Sequence, residues 1–237
     1  MCLPPREACD FRRRARLRAG AGGPGLWDRQ PPIGSKGPPE GGADARLTAD
    51  PEVVAAADGV VLPGVGAFGR CIEALGDSGL WSTALDTASS AATGTGRPFL
   101  GICVGLQMLH QGSSEAPGVP GLGVLPGEVA LLSGDVKRPQ MQWNRLEAAG
   151  DADKHPMLTG LGDDPWAYFV HSYAAPVGPD TIATCTYGGE VCGAEARGVL
   201  WACQFHPEKS SSTGLQVLEN FVVLVTNRAE DRNGLGL

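Results

Sequence analysis

The sequence has no apolar run long enough to cross a membrane. Its N-terminus is basic but lacks the apolar core of a secretory signal, so export is not expected. The seven cysteines are an odd number, and they include neither a CxxC pair nor a Cys/His cluster at zinc spacing. Neither a disulfide framework nor a metal site is expected, and a reduced, cytoplasmic setting is the natural reading. Positive charge is also short. The 19 basic residues face 26 acidic ones, for a net charge of −7, which disfavours nucleic acid as a partner.

What is present changes character near residue 43. Residues 1–42 are rich in Arg, Gly and Pro, with the run Arg12-Arg13-Arg14 and the pairs Pro31-Pro32 and Pro38-Pro39. They carry neither helical nor strand periodicity, so an irregular, disordered basic segment is expected there. Residues 43–237 read as a single α/β domain of a size that buries one core, with a flexible tail from about 228. Asp50 is a candidate N-cap for a helix over 51–58. Strands are expected over 59–62 and 98–102, with helices over 71–80 and from 104 to 110. Strands alternating with helices predict a mostly parallel, doubly wound sheet. Beyond residue 120 the spacing tightens, and further strands are expected over 127–132, 167–170, 181–184 and 199–205. A helix over about 214–226 closes the domain.

The stretch GICVGLQ (101–107) places Cys103 where an apolar strand should turn into a helix. G-x-C-x-G is the cysteine form of a nucleophile elbow, in which glycines relieve crowding around a strained central residue. The N–H groups of the following helix favour thiolate and can stabilise an oxyanion. Taken alone, the motif leaves a packed, inert thiol equally open. The stretch QFHPEKS (204–210) supplies the missing context. A strand ends at His206, and Glu208 follows two residues later. A thiolate nucleophile needs a base, and the base needs a carboxylate to fix its tautomer.

The order GICVGLQ then QFHPEKS resembles the triad glutamine amidotransferases. With LPGVGAF (62–68), PQMQWN (139–144) and YFVHSY (168–173), the resemblance narrows to one branch of that family, the glutaminase subunits of imidazole glycerol phosphate synthase. It covers roughly residues 43–227. It implies a flavodoxin-like α/β fold of the class I glutamine amidotransferases, a mostly parallel sheet flanked by helices with additional antiparallel strands.

The resemblance also implies roles, position by position. Cys103 would attack the glutamine side-chain amide, His206 would shuttle the proton to the departing ammonia, and Glu208 would orient His206. Val104 and the loop Gly64-Val65-Gly66 would form the oxyanion hole, completed by a peptide flip when the partner is active. Gln107, Glu115, Gly105, His171, Ser172 and Tyr173 would line the glutamine pocket. Ammonia would pass to a (βα)8-barrel cyclase subunit in a heterodimer, with no cofactor, no metal, no nucleic acid and no membrane. Pro139, Met141, Trp143 and Asn144 would form the docking segment, read as an exposed tryptophan loop. The family usually has His and Gly where this chain has Gln140 and Gln142.

One departure concerns the beginning of the chain. The family starts with a strand ending in a motif like DYGSGN and then a helix, and residues 1–42 contain neither. Back-translating Gly25 to Gly42 with allowed codons and shifting by one base makes DYGTGNLRSAQRALRRVG available. A frameshifted translation over residues 1–42 is therefore expected, with a sheet short of one strand. Two alternatives to an active subunit stay open at this point: an impaired product of a frameshifted gene, and another cysteine enzyme on the same elbow.

Overall fold

Asp50 starts the first helix of the domain through a hydrogen bond. Its Oδ1 accepts the Glu52 N–H at 2.9 Å, while Pro51 sits in the first turn, where a missing N–H costs nothing. The computed structural model describes residues 16–19, as backbone, and 43–234. Helix Pro51–Ala55 leads into strand Gly59–Gly64, a run of apolar residues buried on both faces of the sheet, as parallel strands require.

Among the described residues the main sheet has eight strands. Their order is Asp44–Leu47, Arg16–Ala19, Gly59–Gly64, Phe99–Cys103, Leu200–Cys203, Glu190–Arg197, Thr181–Thr186 and Glu147–Ala148. The first five are mutually parallel, and the last three add on antiparallel. The expected α/β architecture with its antiparallel extension is therefore what forms. Phe99–Cys103 is buried along its whole length at the middle of this sheet. Helix Trp81–Ala92 packs through Ala84, Ala88 and Ala91, and Ala91 accepts the Val199 N–H at 2.9 Å. Phe221, on helix Ser211–Gly234, sets its ring 5.9 Å from that of Trp201.

Several elements differ from expectation. The helix predicted over 71–80 is Phe68–Asp77, and a second helix, Trp81–Ala92, follows it where none was expected. The second was hidden by Ser and Thr, weak helix formers that tertiary burial of its alanines overrides. The PQMQWN segment is a strand rather than a loop: Gln140–Arg145 pairs antiparallel with Trp166–His171. The closing helix runs to Gly234, past the tail expected from about 228. Arg228 reaches back to the Gly94 carbonyl at 3.3 Å, and Arg232 to Asp58 at 3.1 Å. Within 1–42, the backbone of Arg16–Ala19 forms a strand at the place expected to be empty, and supplies partners for the edge of Gly59–Gly64. The rest of that irregular, frameshifted reading lies outside the described residues. No helix among the described residues is long and apolar enough to cross a membrane.

Candidate active site

The central strand ends in a backbone turn that few side chains adopt. Cys103 has φ 56° and ψ −112°, a conformation that costs on the order of 1–3 kcal/mol and persists only where its surroundings enforce it. The surroundings are glycine. A Cβ on Gly105 would lie 1.8 Å from the Leu62 carbonyl oxygen, and one on Gly64 would lie 2.7 Å from the Gly105 nitrogen. Gly64 is level with Cys103 in the ladder, so LPGVGAF and GICVGLQ close directly on each other. This brings the predicted oxyanion loop, Gly64 to Gly66, against Val104. The helix after the elbow is a single turn, Val104–Gln107, shorter than the expected 104–110. Leu109 and His110 donate to carbonyls three residues back, and the tightened coil ends there.

His206 and Glu208 meet this elbow from the end of strand Leu200–Cys203. His206 Nδ1 is 2.9 Å from Glu208 Oε1, and Cys103 lies close enough to act on the imidazole's charge. Burial by itself lowers the His206 pKa, but the hydrogen bonds to Cys103 and Glu208 and their charges outweigh it, lifting it to about 9. Burial likewise raises Glu208, and the hydrogen bond and charge of His206 reverse that and hold it below its ordinary value. The arrangement favours an imidazolium held against the Glu208 carboxylate.

The pH dependence of stability follows with a definite sign. His206 has a folded value above its ordinary 6.5, so its contribution is complete below pH 6.5 and is lost as pH rises through about 9. His171 is opposite. Burial, reinforced by the charge of His206 and only partly offset by a hydrogen bond to the Tyr173 carbonyl, lowers it to about 4. Its contribution is present above pH 6.5 and is lost as pH falls towards 4. Urea midpoints followed by circular dichroism should therefore fall on both sides of pH 6.5, with the alkaline fall flattened in His206→Gln. An alkaline limb identical in the variant would show that His206 does not hold this charge.

The predicted pocket residues gather in part. Gln107 is buried at the end of the elbow turn, where its Nε2 donates to the Tyr173 carbonyl at 2.8 Å. His171 Nδ1 lies 2.9 Å from the same carbonyl. Ser172 follows on, its carbonyl accepting the Leu132 N–H at 2.9 Å. Glu115 stands apart from this group, half-buried, and its Oε2 accepts the Phe68 N–H at 2.8 Å. It thereby ties the far end of LPGVGAF. An open pocket lined by Ala67, Ile72, Glu115 and Val119 lies beside it.

The predicted docking residues lie on the two-stranded ladder. Met141 and Trp143 are exposed on one face, and Trp143 packs edge-on against Tyr168 with centroids 5.9 Å apart. Pro139 precedes the strand, and Asn144 turns to the other face and donates to the Thr186 carbonyl at 2.9 Å. The ladder touches the chemistry directly, because the His206 N–H donates to the Tyr168 carbonyl at 3.0 Å.

Two residues escaped the sequence reading. Ser210 accepts the Tyr168 N–H at 2.9 Å and donates to the His206 carbonyl at 2.6 Å, fastening the histidine turn to the ladder. Gln204 is fully buried, accepts a Gln107 N–H and donates to the Cys103 sulfur. Its signal was an amide inside the otherwise apolar run of residues 199–205. Among the described residues, no cluster of three or more His, Cys, Asp or Glu could hold a metal ion.

Comparison with known proteins bears on this geometry. The family model described as glutamine amidotransferase class-I matches residues 45–225. The imidazole glycerol phosphate synthase subunit HisH of Deinococcus radiodurans is 47% identical over 184 residues, 76% of this chain and 82% of that protein. The subunit of the same name from Methanothermobacter thermautotrophicus is 45% identical over 185 residues, 78% and 88% respectively. Among solved structures, one from Thermoplasma acidophilum has a TM-score of 0.66 at 20% identity, covering 93% of this chain and 98% of that one. The CTPS glutaminase domain of Trypanosoma brucei has a TM-score of 0.55 at 13% identity, over 91% and 94%. These two likenesses show the fold.

Proposed function

The chain belongs to the class-I glutamine amidotransferases, and we propose that its chemistry runs on Cys103, His206 and Glu208. It is the glutaminase subunit of an imidazole glycerol phosphate synthase, releasing ammonia and glutamate from glutamine. One observation carries the assignment of residues: a cysteine in a strained elbow, beside a histidine that is itself 2.9 Å from a carboxylate.

The steps follow from those positions. The Cys103 sulfur attacks the amide carbon of glutamine, and its proton resides on His206. The tetrahedral oxyanion is met by the Val104 N–H and by a donor from Gly64-Val65-Gly66. His206 passes its proton to the departing ammonia, leaving a glutamyl thioester, and then activates the water that hydrolyses it. Glu208 keeps the imidazole oriented. Gln107, Gly105, His171, Ser172 and Tyr173 shape the glutamine pocket, and Glu115 holds the far end of LPGVGAF beside it.

Ammonia passes to the cyclase subunit, docked in a heterodimer on the ladder face of Met141 and Trp143 with Pro139 and Asn144. An exposed tryptophan beside an apolar neighbour suits a docking anchor, and the His206–Tyr168 hydrogen bond joins that face to the base. The frameshift reading of residues 1–42 is supported by the family match beginning at residue 45, just after the shifted stretch ends. Resequencing the 5′ end of the gene tests it.

The function is tested by measuring glutamate release from the chain alone, with the cyclase, and with the cyclase plus its nucleotide ligand. Release should rise by roughly 10²-fold in the full mixture as the oxyanion hole is completed. Trp143→Ala should weaken cyclase binding by roughly 10–100-fold. Absence of glutamate release in all three mixtures would overturn the reading.

A further inference from the structure

We propose that Gln204 is a further catalytic residue, whose amide N–H stabilises the Cys103 thiolate in an orientation dictated by the Tyr173 carbonyl through Gln107. The proposal rests on Cys103 being the nucleophile, and its test reads the sulfur separately from turnover.

Position comes first. Cys203 pairs with Ile102 in the parallel ladder, so the next residue, Gln204, comes level with Cys103. The Gln204 N–H donates to the Gly193 carbonyl at 2.9 Å, which holds its backbone in the sheet and directs its side chain consistently. Gln204 is 0% exposed, and its Nε2 is 3.7 Å from the Cys103 sulfur. That separation is ordinary for an amide donating to sulfur.

An amide can present either its oxygen or its nitrogen, and its partners decide which. Here it is settled by a chain of partners that begins at a group able only to accept. The Tyr173 carbonyl is such a group, so Gln107 must offer it Nε2, at 2.8 Å. The same Nε2 donates to Gln204 Oε1 at 3.0 Å. With its oxygen taken by a donor, Gln204 turns its own NH2 towards Cys103. His171 Nδ1 lies 2.9 Å from the same carbonyl. A reversed Gln204 would set two NH2 groups against each other and turn a carbonyl oxygen towards a developing thiolate.

A fixed N–H aimed at sulfur bonds more strongly to the anion than to the thiol, and so raises the thiolate fraction. The titratable groups that face Cys103 among the described residues are His206, Cys71 and Cys203, with Glu208 behind His206. Burial pushes the Cys71 thiol up to about 11 and the Cys203 thiol well above its ordinary value, so neither competes for the charge near neutral pH. Gln204 is the uncharged donor that complements His206. It also gives Gln107 a second task, as the residue that positions Gln204.

The test follows iodoacetamide alkylation of Cys103 by mass spectrometry from pH 6 to 10, in the full chain and in Gln204→Met and Gln204→Glu. With the N–H removed in Gln204→Met, alkylation at pH 7 should slow about tenfold and its midpoint move about one unit alkaline. Gln204→Glu keeps the side-chain shape and the acceptor for Gln107, so it decides the matter if the Met variant does not fold. Its carboxylate opposes the thiolate, and its midpoint should lie further alkaline still. In the cyclase complex kcat for glutamine should fall in both, with KM within about twofold, the pattern of a lost reacting-atom contact. An unchanged alkylation midpoint in Gln204→Glu, or a change in KM alone, would overturn the proposal. Both outcomes are independent of whether Cys103→Ala retains glutaminase activity, which tests the nucleophile assignment itself.

Discussion

Cys103→Ala should lower glutamine-dependent synthesis by roughly 10³-fold or more, while ammonia-dependent synthesis in the same complex with the cyclase continues at the parent rate. The asymmetry arises because the substitution removes only the nitrogen supply. In the proposed mechanism the sulfur is the atom that bonds to the amide carbon, and neither His206 nor Glu208 can replace it. The variant should also fold normally, since alanine keeps the Cβ and fills most of the buried site. A companion, Cys103→Gly, should be equally inactive yet more stable than the alanine variant. At φ 56° and ψ −112° any side chain is strained, whereas glycine adopts this backbone freely. Melting temperatures of the two variants, measured beside both activities, check chemistry and strain together. Glutamine-dependent synthesis surviving in either variant would remove Cys103 from the mechanism, and equal stability would remove strain from the elbow.

Gly105→Ala should be the most damaging single methyl addition in the elbow. The added carbon would sit 1.8 Å from the Leu62 carbonyl oxygen. That oxygen belongs to a backbone strand locked in the ladder between Arg16–Ala19 and Phe99–Cys103, so it has no rotamer through which to escape. Either strand Gly59–Gly64 moves away from the elbow or the turn opens, and both separate Gly64 from Cys103. Overpacking of this kind should lower the melting temperature by roughly 10 °C. Glutaminase activity should fall by roughly 10²-fold in whatever folds, as the proposed oxyanion donors lose their place. Gly66→Ala is the useful contrast. It has φ 100° but open space around it, so its cost is conformational alone. Equal melting temperatures for Gly105→Ala and the parent would mean that the elbow and the Leu62 strand are not packed as described.

How far the site was legible varies by residue, and the reason is distance along the chain. Cys103 was legible because its turn is local: strand, glycine, cysteine and glycine lie within a few residues, and the crowding they relieve is of the backbone itself. His206 and Glu208 were legible because a single residue separates them, a spacing that permits the 2.9 Å contact without help from elsewhere. The parallel core was legible in its apolar runs, which burial on both faces demands.

Other features existed only once the chain had closed. Strand Gln140–Arg145 has a partner, Trp166–His171, well removed in sequence, and its backbone hydrogen bonds leave no periodic signature in QMQWNR. Strand Glu190–Arg197 was disguised by Glu195, a carboxylate in a buried position. It is tolerable only because His110 comes within 2.8 Å of it from the far end of the elbow segment. Gln204 stood in plain view inside QFHPEKS, but its role depends on the Gln107 amide and the Tyr173 carbonyl arriving on the same side of the sheet. Local chemistry therefore determined the proposed nucleophile, its proposed base and the sheet that carries them. Which buried polar groups were allowed, and which way each amide faced, was decided only by tertiary packing, because a buried donor or acceptor is stable only opposite a partner that the local sequence cannot supply.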